Sequence, residues 1–506
     1  MKTSPDIASK RHERFDKATA GENATIAGSE PLVSVLMANF RGAAHLPAAL
    51  DSVLAQTVHS LEVIVSDDAS PDSSVEIVRQ YMARDSRVRL IANEENGGPA
   101  AARNRALEAA RGEWIAIVDS DDVIHPERLE TMIAAADALG ADGIADDLLF
   151  FSDVGAGPTL LGETTSAEPR RITPADFIRS NTSGNGLPPL GYVKPLFRRA
   201  RLARLRYDEA VRIGEDYDFL LRFLLAGAQF YILPDPLYLY RRHAHSISHR
   251  LSESTVLAMI TNQQRLVAAQ GSFSPEIEQL LDKRMAALRS SLSFERLVVS
   301  LKERRAAKAL GLLISDLGLI RPLARSVVEN LQSRMKKRPS APRARRIIAL
   351  HDQTCRPNDV NALHDALGVG GDIELVPVAS YRPPAERRPA GQQERGNLLR
   401  LAAMSMEANL EIVCHGLAGL NAAGFLPRKR ILATILDDAK ELRRACHWPA
   451  PEGSRIIAAQ TALGSNLEGL GQPFCPGYLL ISPAPRPAPQ PAISRVAEAP
   501  ETESQS

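Results

Sequence analysis

The sequence is short of cysteine, of aromatic residues and of net charge, and it has no long apolar run. Four cysteines stand among 506 residues, all in the last third, at Cys355, Cys414, Cys446 and Cys475. None belongs to a C-x-x-C pair, and nothing marks the chain as secreted, so reduced thiols are expected rather than a disulfide framework. Lysine plus arginine number 61 against 60 for aspartate plus glutamate, a formal net charge of +1. That balance lacks the basic excess of nucleic-acid binders, so no nucleic-acid partner is expected. No run of about 18 apolar residues offers a membrane span. Residues 1–30 are polar and charged, unlike a signal peptide or an anchor. A cytoplasmic protein is the expectation.

What is present is enough apolar sequence, 44%, to fill packed cores, on a chain whose length suggests two or three domains. After a flexible tail over residues 1–30, the pattern alternates. Apolar runs at Leu32 to Ala38, Leu61 to Ser66, Val88 to Ala92 and Trp114 to Val118 read as buried strands. Helical periodicity separates them, at Ala43 to Gln56, Ser73 to Arg84 and Pro99 to Ala110, and follows at Pro126 to Leu139. A fifth strand-like run spans Ile144 to Phe151. Strands alternating with helices predict an α/β fold: a Rossmann-like, mainly parallel sheet with helices on both faces. Residues 152–195 read as a long loop with one short helix near Pro174 to Ser180. Residues 251–338 read as a helical region that runs into a basic linker, with Lys336, Lys337, Arg338, Arg343, Arg345 and Arg346. Short strands at Arg346 to Leu350, Ile373 to Val378, Leu410 to Cys414 and Arg430 to Leu436 predict a smaller C-terminal α/β domain over 345–482. The Pro- and Ala-rich end, 483–506, reads as disordered.

Ligands of such sheets bind beyond the carboxyl ends of the strands, and the chemistry-bearing residues fall there. After the fourth strand comes Val118-Asp119-Ser120-Asp121-Asp122. Clustered carboxylates repel one another unless a cation or hydrogen bonds compensate, and a hard divalent ion would do so. A solvated turn capping the next helix is the plainer reading. After the second strand come Asp67 and Asp68, which a turn and an N-cap at Asp72 would also explain. Asn96-Gly97-Gly98-Pro99 lets backbone approach a ligand, with Arg103 one turn into the helix and suited to a phosphate. Gly214-Glu215-Asp216-Tyr217-Asp218 opens another helix, where acids also suit the macrodipole. Tyr240-Arg241-Arg242-His243 combines cations with an imidazole. Cys414-His415 and Cys446-His447 match no zinc spacing, and buried structural cysteines are the expectation there.

In order and spacing, the motifs at 35–39, 64–70, 96–104 and 112–122, with Glu215-Asp216 and Tyr240 to His243, resemble the family 2 glycosyltransferases of GT-A fold. The resemblance covers residues 31–250. The stretch Tyr240 to Arg250 is similar to bacterial exopolysaccharide transferases of the succinoglycan type. Two positions depart from the family pattern: Met37-Ala38-Asn39-Phe40 at the first strand, and Ala69 where a glycine is common.

The resemblance implies roles. Asn39 with Asp67 or Asp68 would hold base and ribose, Asn96 would belong to the same nucleotide site, and Arg103 would lie near base or diphosphate. Asp119 would contact ribose. Asp121 and Asp122 would bind Mg²⁺ or Mn²⁺, with His243 as an extra metal or phosphate ligand. Asp216 would be the general base, with Glu215 beside it orienting acceptor or base. The implied reaction is inverting transfer of a sugar from a nucleotide-sugar donor, a UDP-hexose, to a saccharide or lipid-linked oligosaccharide acceptor. Surface polysaccharide synthesis at the inner face of the membrane would be its setting, with the basic linker as a peripheral membrane contact. The competing readings are a non-catalytic scaffold with a degenerate transferase fold, and a nucleotidyltransferase. The latter usually carries a glycine-rich loop with Arg and Lys after its first strand, and Asn39-Phe40-Arg41-Gly42 is a poor version of it.

Overall fold

The computed structural model describes residues 30–152, 155–162, 168–242, 252–320 and 323, and then 346–351, 373–378, 410–424, 431–436, 455–458 and 480–481. The first half is built on β1 (Val33–Asn39), α1 (Leu46–Leu54), β2 (Leu61–Asp67), α2 (Ser74–Arg84), β3 (Val88–Ala92), α3 (Pro99–Ala109) and β4 (Trp114–Ile117). β1 pairs in parallel with both β2 and β4, and β2 with β3. Successive strand residues point to opposite faces, and here both faces are covered. Val33, Val35, Met37, Val63 and Val65 pack into one apolar cluster, while Leu36, Ile64, Ile115 and Ile117 pack into the other. This is why these strands read as continuous apolar runs.

The sheet continues past β4 through β6 (Gly143–Ala145), β9 (Arg170–Arg171), β10 (Leu196–Arg198) and β11 (Phe230–Ile232), in the order β3-β2-β1-β4-β10-β6-β11-β9. β10 runs antiparallel to both β4 and β6. A second sheet joins β5 (Val123–Ile124), β12 (Tyr238–Arg241), β7 (Leu148–Ser152) and β8 (Gly155–Thr159) in the order β5-β12-β7-β8. α4 (Arg128–Leu139) lies between β5 and β6 and ends on Gly140, at φ 63°.

Two sequence expectations are corrected here. The run Ile144 to Phe151 is two strands in two sheets, β6 and β7, divided by the buried pair Asp146 and Asp147. Asp146 accepts both Nε and Nη2 of Arg128, at 2.9 and 2.8 Å, and Asp147 accepts the amides of Leu148 and Leu161. Hydrophobic periodicity cannot register such a break, because paired acids take core positions. Within residues 152–195, expected as a loop with one helix, strands β8, β9 and β10 border or cross the segment. Its helix α5 (Pro174–Ser180) is present, with a capping box between Thr173 and Asp176.

Three helices follow: α6 (Glu215–Leu225) precedes β11, and α7 (Glu253–Gln270) and α8 (Pro275–Lys302) succeed β12. Ser252 and Ser274 cap α7 and α8, and Pro275 occupies the first turn, where its missing N–H is not needed. α7 packs on α8, which also packs on α5. A shorter α9 (Ala306–Ser315) closes this part.

The described C-terminal residues form β13 (Arg346–His351), β14 (Ile373–Pro377), β15 (Leu410–His415), α10 (Gly416–Gly424), β16 (Ile431–Leu436), β17 (Arg455–Ala458) and β18 (Leu480–Ile481). All pair in parallel, in the order β14-β13-β15-β16-β17-β18. The sequence reading found four of these strands and missed β17 and β18. Cys414 is buried on β15. Cys355, Cys446, Cys475, the basic linker before Arg346 and the Pro-rich end lie outside the described residues.

Candidate active site

The carboxyl ends of β1, β2 and β4 deliver Asn39, Asp67 and Asp119 to one edge of the sheet. The Nδ2 of Asn39 donates to Oδ2 of Asp67 at 2.7 Å. The Asn39 side-chain oxygen, Oδ1, is buried without a hydrogen-bond partner. Gly42 stands over it, and a Cβ at that position would collide with this oxygen. Asp67 is thus a brace for Asn39. Asp68 accepts the Gly97 and Gly98 amides at 3.0 and 2.7 Å and pairs with Arg105 at 2.7 Å. Gly98 needs its glycine, because it turns at φ 88° into α3. Asn96 reaches back to the Asp68 carbonyl, at 3.1 Å.

After β4, carboxylate oxygens of Asp119, Asp121 and Asp122 come within 4.8 Å of one another. Asp122 is buried, and β12 fixes it: the Tyr238 hydroxyl and the Arg241 amide each donate to it at 2.7 Å. The same hydroxyl accepts the Asp119 amide at 3.1 Å, and Arg241 Nε donates to the Asp121 carbonyl at 2.7 Å. Burial, then repulsion from Asp121 and Asp119, pushes the Asp122 carboxyl well above the usual carboxylate range.

A buried ion-pair chain links this cluster to the start of α6. Arg103 contacts Asp119 at 3.1 Å, Glu215 at 2.5 Å and Asp216 at 3.2 Å. Lys194, 4% exposed, contacts Asp119 at 2.7 Å and Asp216 at 3.1 Å. Burial alone would raise the Asp119 carboxyl, but Lys194 and Arg103 outweigh it and lower it to about 2. Burial would likewise strip the proton from Lys194, yet Asp119 and Asp216 hold its ammonium well above the ordinary lysine value. Glu215 is raised, first by burial and then by Asp216 beside it.

Lys194 and Tyr238 are the residues that sequence reading missed. Lys194 sits in Gly191-Tyr192-Val193-Lys194-Pro195, an irregular stretch with no period. Its backbone carbonyl accepts from Nη2 of the buried Arg128. Tyr238 lies two residues before the motif that was singled out, and its alternation within β12 was the available signal. Of the expected residues, Asn39, Asp68, Asn96, Arg103, Asp119, Asp121, Glu215 and Asp216 line one cavity of about 1060 Å³. Asp67 and Asp122 stand directly behind that wall, and His243 lies outside the described residues.

Known proteins resemble the chain over this part. The family model described as Glycosyl transferase family 2 matches residues 34–199. The succinoglycan biosynthesis protein ExoO of Rhizobium meliloti is 36% identical over 337 residues, covering 65% of this chain and 96% of that protein. ExoU of the same organism, also named a succinoglycan biosynthesis protein, is 33% identical over 254 residues, covering 49% of this chain and 72% of its own. Among solved structures, Staphylococcus aureus TarS 1–349 in complex with UDP-GlcNAc has a TM-score of 0.43 at 22% identity, over 56% of this chain and 79% of that one. With a relative this similar along nearly its whole length, the chain belongs to the family 2 glycosyltransferases.

Proposed function

We propose that this chain is an inverting, metal-dependent hexosyltransferase. It would move a sugar from a nucleoside-diphosphate-sugar donor, with uridine as the nucleoside, to a hydroxyl of a saccharide or lipid-linked oligosaccharide acceptor. Surface polysaccharide synthesis is the setting, in keeping with the names of its two relatives. The observation that carries the reading is the buried chain that ties the carboxylate cluster at 119–122 to Glu215 and Asp216 across one cavity.

The residues fit a hard divalent cation. Their donors are all carboxylate oxygens, grouped within 4.8 Å, and the Asp122 carboxyl is disfavoured as an anion until a positive charge joins it. Asp121 and Asp122 would hold Mg²⁺ or Mn²⁺, which when bound neutralises charge on the leaving diphosphate. Asn39 Oδ1, buried and unpartnered, is available to an N–H of the base. Asp68, Asn96 and Asp119 frame the nucleoside.

Asp216 is the general base that takes the acceptor hydroxyl's proton as the glycosidic bond forms, and Glu215 orients it. Without a donor, Asp216 is engaged by two cations, Arg103 and Lys194. A bound diphosphate competes for both cations and frees the carboxylate. Attack from the face opposite the leaving group inverts the anomeric centre.

No helix among the described residues is long and apolar enough to cross a membrane. Action at the inner face of the plasma membrane, with the basic linker Lys336 to Arg346 as a peripheral contact, belongs to the same reading. The test is a screen of sugar nucleotides for metal-dependent hydrolysis, followed by acceptor trials. Hydrolysis of one donor that EDTA stops is expected, and Asp216→Asn should bind that donor normally yet fail to transfer. If no donor is turned over with Mg²⁺ or Mn²⁺, the enzyme reading falls and a scaffold takes its place.

A further inference from the structure

The cavity does not end at the donor side. It continues past Asp216 and Tyr217 into a cleft walled by α7 and α8 and by the segment from Asn181 to Gly191. This part lies largely beyond the residues that the family model matches, 34–199. On the helices, Met259, Leu266, Leu281 and Leu288 form an apolar wall beside the polar Asn262 and Gln263, and the cation Arg284 stands among them. Arg284 of α8 is 5% exposed. Its guanidinium lies 3.9 Å from the centre of the Tyr217 ring, whose stacking partner is Phe177 at 5.3 Å. Arg284 donates to Oε1 of Gln263 at 2.5 Å and to the Asn181 carbonyl at 3.3 Å.

Both hydrogen-bond partners are neutral, and among the described residues no carboxylate pairs with Arg284. The nearest acid in sequence to Tyr217 on its far side, Asp218, is committed to Arg222 at 2.5 Å. Arg103 and Lys194, the other buried cations of the cavity, are fully engaged with acids. A buried guanidinium without a counter-charge is costly, and a group that brings the missing charge relieves that cost. Beside it, the Tyr217 hydroxyl is buried and has no hydrogen-bond partner, so a second polar atom in the same cleft also awaits one.

On the reading that Asp216 activates the acceptor hydroxyl, we propose that Arg284 and Tyr217 form an acceptor subsite for an anionic group, a carboxylate or a phosphate carried by the sugar. Guanidinium recognises either planar or tetrahedral oxyanions through paired N–H donors. The Tyr217 hydroxyl adds a further donor. The apolar wall suits the less polar face of a pyranose ring. Asp216 and Tyr217 line the same cavity, which lets an acceptor anchored here present another hydroxyl to the base.

The test uses the full chain saturated with uridine or guanosine diphosphate and Mn²⁺, which blocks the donor side. Three probes are titrated: methyl β-D-glucuronoside, glucose 1-phosphate and the neutral methyl β-D-glucoside. At least one anionic probe should bind about tenfold tighter than the neutral one, as a charge-assisted contact requires. A preference for the glucuronoside identifies an acidic sugar, and one for the phosphate identifies a phosphorylated acceptor. Arg284→Gln should erase the preference, and Arg284→Lys should keep part of it. Tyr217→Phe preserves the stack and removes only the unpartnered hydroxyl, so it should weaken the anion severalfold without lowering the melting temperature; if Arg284→Gln does not fold, these last two variants decide. Equal binding of all three probes, or a preference that survives Arg284→Gln, overturns the proposal. Failure of the wild type to bind either nucleotide would instead count against the transferase reading, and the same three titrations without nucleotide would still judge the anion subsite.

Discussion

Lys194 shows how far a single side chain departs from what its neighbours in sequence announce. It comes from an irregular stretch, yet its ammonium is buried between Asp119 and Asp216. If a bound diphosphate takes over this cation, Lys194→Met should weaken nucleoside diphosphate by about tenfold, or about 1.4 kcal/mol, and nucleoside monophosphate far less. Calorimetry with both nucleotides checks this, and equal losses would assign Lys194 a purely structural part. Lys194→Arg, which keeps the charge, guards against a failure to fold. Ala69 is a residue whose strain the sequence did hint at, because it stands where the family commonly has glycine. It adopts φ 61°, in the left-handed region. Placing a Cβ there costs about 1–2 kcal/mol, and glycine returns part of that through a more flexible unfolded chain. Ala69→Gly should therefore stabilise the protein by about 0.5–1 kcal/mol in urea unfolding. No change, or a loss, would show that the turn at Asp68 is not strained by its side chain. The acids of the site could be picked out because they stand at strand ends or, for Glu215 and Asp216, at the start of a helix. Lys194 could not, because no period or spacing marks it.

Among the elements, β1 to β4 were readable almost residue for residue; β1, β2 and β4 are buried on both faces and nearly continuous in apolar residues, and β3 is a short apolar run. The strands of the second sheet were harder. β5 is two residues long, and β6 and β7 are separated only by a pair of buried acids, Asp146 paired with Arg128 and Asp147 held by backbone amides. Glu62 is a similar case inside β2, a buried acid in an apolar strand. It accepts Ser34 Oγ at 2.7 Å, the Arg111 amide at 2.9 Å and Arg89 Nη1 at 2.7 Å, which ties together β1, β3 and the approach to β4. Burial alone would raise this carboxyl, but the hydrogen bonds from Arg111, Ser34 and Arg89 outweigh it and hold it below the usual glutamate value. A depressed folded pKa means that the stabilisation is present above the unfolded value, about 4.3, and is lost as pH falls through the folded one. The wild-type melting temperature should thus drop more steeply between about pH 5 and pH 3 than that of Glu62→Gln. Parallel curves would show that the staple contributes nothing that depends on its charge.

At the scale of the whole molecule, pattern set strands and helices in order along the chain, but no pattern could say that distant parts touch. The contact is made by α10. Asn421 donates to Glu127 Oε2 at 2.8 Å, and its carbonyl oxygen lies 3.0 Å from Nε2 of His125. Both partners are fully buried. Behind them Ala422 and Ala423 belong to the apolar cluster of Ile348, Leu350, Ile412 and Cys414. His125 follows Asp122 by three residues, with only β5 between, so the C-terminal sheet rests on the segment that leads from the carboxylate cluster into α4. Asn421→Asp tests whether this contact couples the two. The change keeps shape but sets a second carboxylate against Glu127, where an uncompensated buried charge costs about 3–5 kcal/mol. Amide hydrogen exchange should then quicken both in α10 and across His125 to Thr131, the first turn of α4 and its approach, while the amides of β1 and β2 stay protected. Faster exchange in α10 alone would mean that the contact holds the C-terminal sheet in place without bracing the cluster.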